Sequence, residues 1–163
     1  MPDTAPLLRL YRRFARLPLG RWLFSRALCF KAPYFASIHP TVLALELGRC
    51  EARIPHRRSM QNHLGSVHAI ALCNLAELCA GVMVDASIPP GMRWIPKGMT
   101  VQYLKKAMGP QTGIAQPAQP IVAAGAGYEL PVRVEVHDAG GEPTFRAEVL
   151  MWVSPKPARP RGG

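Results

Sequence analysis

Along the chain, each change in the period of apolar positions marks an element. Leu7, Leu10, Tyr11, Phe14 and Leu17 recur at spacings of three and four, the repeat of a helix with one apolar face. Pro18 and Gly20 interrupt it, and a second short helix over 21–30 follows. Pro33 and Pro40 bracket a connector. Residues 41–47 and 49–54 read as two strands about Gly48, and 55–65 as an irregular polar loop. From 66 to 84 the chain is apolar on every side except at Asn74 and Glu77, which predicts one long buried helix. Pro89, Pro90, Gly91 and Pro96 predict a loop. Over 98–106, Met99, Val101 and Tyr103 alternate with Thr100, Gln102 and Leu104, a strand. The Pro-, Gln- and Gly-rich stretch 109–127 predicts a weak strand and a mobile loop. Residues 130–137 alternate cleanly, Asp138 to Gly141 form a hairpin turn signal, and 144–153 is the return strand.

A helical preamble, two strands, one helix apolar all round and about four more strands define an α+β chain. A helix of that kind must be wrapped, and one curved antiparallel sheet around one long helix is the hotdog architecture. The expected divisions are a basic amphipathic helical extension over 1–33, a hotdog domain over 34–153 and a disordered Pro/Gly tail over 154–163. With 163 residues, 48% of them apolar, the chain can bury a sizeable core and is not a disordered one. The most apolar stretch carries His68, Asn74 and Glu77, so no run is read as a membrane span. Arginines at 9, 12, 13, 16, 21 and 26 break the N-terminal apolar residues, unlike a signal peptide. Cys29, Cys50, Cys73 and Cys79 form neither a C-x-x-C pair nor a disulfide scaffold, and a reduced, cytoplasmic setting is the simpler expectation.

Charge changes the picture in one respect. The formal net charge is +10, which attracts polyanions: phosphates, acidic lipids, nucleic acid or an acidic carrier protein. Seven basic residues lie within 1–31 against Asp3 alone. Such a segment suits weak contact with an acidic membrane surface through residues 5–30. Packing of its apolar face on the domain is the commoner outcome and the expectation preferred here. No aromatic-interleaved basic strand or recognition helix is present, so nucleic acid is not an expected partner.

The stretch that carries chemistry runs from Asn62 to Glu77. Asn62 is followed six residues later by His68, and nine after that by Glu77 within Leu75-Ala76-Glu77. In this triple spacing the chain resembles the hotdog-fold thioesterases, most closely the phenylacetyl-CoA thioesterase-like group and its uncharacterised relatives. The resemblance extends to the Val101-x-Tyr103-Leu104-Lys105-Lys106 segment and covers roughly 35–153. Two positions depart from the pattern. The pair of glycines after the His is Ala69 and Ile70 here, and the helix carboxylate is Glu rather than Asp.

The resemblance implies an acyl-CoA thioesterase, a hydrolase of fatty acid metabolism acting on a fatty or aromatic acyl thioester. Elementary chemistry agrees with it. The first N–H groups of a helix lack internal partners and favour negative charge, so a helix start over 66–69 suits an oxyanion. Ala69 is the expected backbone donor there. Gly65 and Ser66 lie on the substrate side, with Ser66 the expected N-cap. Asn62 is either a donor to carbonyl or water, or a loop-closing residue. His68 is expected to orient the loop rather than to react. Glu77 is the general base or nucleophile, its pKa raised by burial. It lies eight residues beyond Ala69, about 12 Å along the axis, so it must serve a carbonyl held by another subunit. A homodimer or dimer of dimers is therefore implied, with an acyl tunnel at the subunit interface. Lys97, Lys105 and Lys106 flank the strand along which the family lays pantetheine, and Arg93 is a weaker candidate. CoA enters only as part of the substrate, and no separate cofactor is expected. His56, His63 and His68 fit no metal spacing. The rival readings are a non-catalytic acyl-CoA or lipid-binding hotdog protein and an enoyl-thioester hydratase or dehydratase recruiting His68.

Overall fold

The computed structural model describes residues 5–157. Its helices are α1 (Pro6–Phe14), α2 (Gly20–Lys31) and α3 (Ala69–Ser87). Its strands are β1 (Thr41–Glu46), β2 (Arg49–Ile54), β3 (Met92–Tyr103), β4 (Gln111–Pro117), β5 (Tyr128–His137) and β6 (Pro143–Pro155). Short 3-10 turns occupy Pro33–Ile38 and Arg58–Met60. The strands form one antiparallel, curved sheet in the order β1-β2-β4-β5-β6-β3. α3 lies in its concavity and touches every strand, which is the hotdog arrangement. Gly113 of β4 lets the helix approach: a Cβ there would stand 3.1 Å from Leu75 and 3.2 Å from the Cys79 sulfur. By length and composition α3 could cross a membrane, against the sequence expectation, but most of it is buried in this core.

Several boundaries differ from those read in the sequence. α3 starts and ends three residues later than expected. Residues 66–68 belong to the preceding loop, because Gln61 and Val67 form a bridge and the Val67 N–H donates to the Ala107 carbonyl at 2.9 Å. At the other end the Ser87 hydroxyl donates back to Met83, continuing the helix to the surface. β3 begins six residues earlier than expected and runs through Pro96. An edge strand tolerates proline, and the pairing with β6 shifts register between Pro96 and Gly98. Ser154 and Pro155, expected in the tail, complete β6; the rest of that expectation, from 158 on, lies outside the described residues.

α1 and α2 belong to the same hydrophobic core as the sheet. The buried face of α1 runs through Leu8 and Tyr11 rather than Leu10 and Leu17, which face solvent. Tyr11 and Phe14 meet Phe24 of α2 edge-on, with ring centroids 5.1 and 6.4 Å apart. The two helices also cover the β1 edge of the sheet. The Ser25 hydroxyl accepts from the Val42 N–H (2.8 Å), Tyr11 donates to the Leu43 carbonyl (2.8 Å) and Arg26 to that of Pro40 (2.8 Å). β3, the opposite edge, has no such cover among the described residues and is exposed over most of its length, Ile95 and Tyr103 included.

Candidate active site

The loop before α3 is built on Asn62. Its side-chain carbonyl accepts from the Leu64 N–H (2.9 Å), the Ser66 N–H (3.2 Å) and the Ser66 hydroxyl (3.1 Å). One oxygen therefore closes the whole turn, with Gly65 in the left-handed region at φ +74°. Ser66 is buried inside this turn and is not the N-cap. That place belongs to His68, whose Nδ1 accepts from the Ile70 N–H at 3.1 Å, leaving the ring hydrogen on Nε2. His68 thus fixes the local geometry as an acceptor. Its carbonyl takes the N–H groups of Ala71 and Leu72. The Ala69 N–H lies outside all of these bonds, at the positive end of the helix dipole. The exposed Ile70 side chain stands beside it where the resembled family has glycine.

His56, weighed above only as a metal ligand, and Gln111, not singled out by the sequence, brace this loop. His56 Nδ1 accepts from the Gly109 N–H (3.2 Å) and its Nε2 meets the Gly65 carbonyl (2.9 Å). Gln111 is fully buried; it donates to the Met108 and Gly109 carbonyls and accepts from Thr144 at 2.7 Å. A histidine and a glutamine in polar stretches carry no pattern that marks this bracing role.

α3 is not enclosed on every side. Ile70, Cys73, Asn74 and Glu77 form a partly exposed stripe at helical spacing. The Cys73 thiol and Tyr103 hydroxyl meet at 3.5 Å, and this bond, with partial burial, pushes the Tyr103 pKa up to about 12. Glu77 is half-buried and makes no hydrogen bond or ion pair among the described residues. It lines a cavity of about 240 Å³ with Leu28, Phe35, Leu78, Val82 and Trp94. Nothing in the apolar pattern pairs α3 with α1 and α2 around such a space.

The candidate cations are dispersed. Lys97 pairs with Glu129 at 3.1 Å and lies 5.0 Å over the Trp152 ring. Lys105 pairs with Asp138 at 2.8 Å. Lys106 is exposed, and Arg93 reaches Ser154 at 3.5 Å. They line the neighbourhood of β3 without converging on the cavity that holds Glu77.

Residues 20–153 match the family described as a domain of unknown function, DUF4442. The structural-genomics protein APC5556 is 43% identical, over 92% of this chain and 99% of that one, with a TM-score of 0.79. Thioesterase HI1161 from Haemophilus influenzae is 14% identical, over 79% and 87% of the two chains, with a TM-score of 0.69. A phenylacetic acid degradation-related protein from Ralstonia eutropha JMP134 is 15% identical over 74% and 89%, at a TM-score of 0.64. At such identity the last two show the shared fold. No curated protein matches the sequence.

Proposed function

Because the chain belongs to the DUF4442 family and has the hotdog fold of thioesterases, we propose that it hydrolyses acyl-CoA thioesters, with Glu77 as the base or nucleophile. The observation that carries this reading is the carboxylate itself. A half-buried carboxylate on an apolar helix is costly to keep without a partner, and Glu77 has none among the described residues while facing an apolar cavity.

With Glu77 as base, a water gives its proton to the carboxylate as its oxygen bonds to the thioester carbon. The carbonyl oxygen takes the negative charge and is stabilised by the Ala69 N–H and the helix dipole. When the tetrahedral intermediate collapses, the C–S bond breaks and Glu77 returns the proton to the departing sulfur, giving the CoA thiol and the free acid. Glu77 and Ala69 of one chain are two turns apart, so the carbonyl must lie between Glu77 of one copy and the helix start of another. Two features support such a dimer: the uncovered β3 edge, which presents unpaired backbone groups, and the open stripe on α3. A reducing, cytoplasmic setting fits the four unbridged cysteines. The test is thiol release from acyl-CoAs, wild type beside Glu77→Gln. Release that falls at least a thousandfold in the variant, with an unchanged melting temperature, is expected. Acyl-CoA binding without release by the wild type would instead mark a binding protein.

A second reading concerns the surface. Trp22, Leu23 and Phe30 of α2 and Leu19 just before it are exposed, and so are Arg12, Arg13 and Arg16 of the preceding segment. Exposed aromatic side chains together with exposed arginines suit an anionic lipid surface. Cosedimentation with anionic but not zwitterionic vesicles is expected, and its loss in Trp22→Ser/Phe30→Ser. Equal binding to both vesicle types would remove the proposal.

A further inference from the structure

Glu77, Gly81 and Asp85 follow one another at intervals of four along α3 and so share one face, spanning about 12 Å. All three line the 240 Å³ cavity, whose other walls come from α1, α2 and the turn after them: Leu7, Leu28, Ala32 and Phe35. The far end of that face is occupied by Trp94 of β3. Its indole N–H donates to Asp85 Oδ1 at 2.6 Å, and its ring tip lies 2.9 Å from where a Cβ on Gly81 would stand. Any larger residue at 81 would displace the indole. Trp94 is therefore held at the Gly81–Asp85 end, one to two turns from Glu77.

Beyond it lies an open basin of about 680 Å³, lined by Arg9, Pro90, Arg93 and Lys156. Leu7, Lys31, Asp85 and Trp94 line both spaces and form the partition between them. The smaller space is mostly apolar, with the Glu77 carboxylate at one end and the indole, held by Asp85, at the other.

We propose that this cavity receives the acyl chain of the substrate, and that Trp94 ends it, limiting the enzyme to medium-length chains or a single aromatic ring. The pocket is then walled by the chain's own N-terminal helices rather than lying wholly at a subunit interface. This rests on the thioesterase reading for its substrate. Size sets the limit: an apolar cavity of ~150 Å³ takes up one benzene, so at the same rate this one holds roughly eight to ten carbons. Leu28 and Phe35 are specificity-determining side chains, and Asp85 is a positioning residue acting through Trp94.

The test compares acetyl-, octanoyl-, decanoyl- and palmitoyl-CoA on the full chain. Wild-type kcat/KM is expected to peak at octanoyl or decanoyl and fall at least tenfold at palmitoyl. Trp94→Ala should raise the palmitoyl-to-octanoyl ratio at least tenfold, by opening the partition. Leu28→Trp fills the space from the opposite wall and should lower the decanoyl-to-acetyl ratio at least tenfold. It carries the test alone if Trp94→Ala fails to fold. Ratios unmoved by Leu28→Trp, or a wild type that prefers palmitoyl, would overturn the inference. Dissociation constants of decanoyl- and palmitoyl-CoA on Glu77→Gln, with and without Leu28→Trp, separate this outcome from failure of the thioesterase reading. Tenfold weaker decanoyl-CoA binding with Leu28→Trp supports the pocket even where nothing is hydrolysed. Binding indifferent to chain length and to Leu28→Trp removes it.

Discussion

At the residue scale, Asn62 shows how one side chain serves both stability and chemistry. Its carbonyl oxygen satisfies two Ser66 donors that are otherwise buried, so Asn62→Ala should cost roughly 1–3 kcal/mol. Asn62→Asp keeps the acceptor and removes the amide donor. A melting temperature restored by Asp with turnover still lost would assign the amide N–H to the reaction; restoration of both would confine Asn62 to the loop. Asp138 gives a pH prediction. Lys105 first, then the Glu142 and Gly140 N–H groups, hold its carboxyl below the ordinary value of 3.8. The folded state then binds fewer protons than the unfolded one, so the stabilisation is full above 3.8 and is lost as pH falls through the depressed value. The melting-temperature gap between wild type and Asp138→Ala should be level near neutrality and close in strong acid; a gap that widens there would contradict the assignment. The Asn62–His68–Glu77 spacing was legible because loop, cap and helix follow one another in the chain. Trp94 was not: its partners Gly81 and Asp85 come to it through tertiary packing, and only an isolated glycine in an apolar helix hinted at a close approach.

At the scale of elements, sequence patterns placed the centres of helices and strands and missed their ends. Val67 continues the apolar run of α3, yet its N–H is committed to the Ala107 carbonyl, which holds it in the loop. Pro96 looked like a loop residue because proline is foreign to an interior strand; β3 is an edge strand, where a missing N–H costs little. The basic preamble was legible as amphipathic, but not the surface it would cover. Ser25 gives that cover a measurable value. Ser25→Ala removes the acceptor of the buried Val42 N–H and should destabilise by about 1–3 kcal/mol, read in urea midpoints. A shift below a few tenths of a kcal/mol would mean that water replaces the hydroxyl there.

For the whole molecule, the fold class was readable because a helix as apolar as α3 must be buried and the segments that flank it are strands. What the pattern could not give was the asymmetry of the sheet, with β1 bonded by side chains of α1 and α2 and β3 left bare by the described residues. Under the dimer proposed above, the mass in solution should be twice 17.9 kDa. Lysines at Ile95 and Tyr103, the large exposed apolar positions of β3, should halve it and abolish turnover together. Monomeric variants that keep full activity would show that one chain completes the site by itself.

The sealing of β1 has a consequence for stoichiometry. A ribbon with two bare margins can add copies without end and becomes a fibre. One with a single bare margin joins once, head to head, and that axis of growth is then exhausted. Under the dimer proposed above, the N-terminal helices therefore act as a terminator: they cap at two the number of chains that can share one continuous sheet.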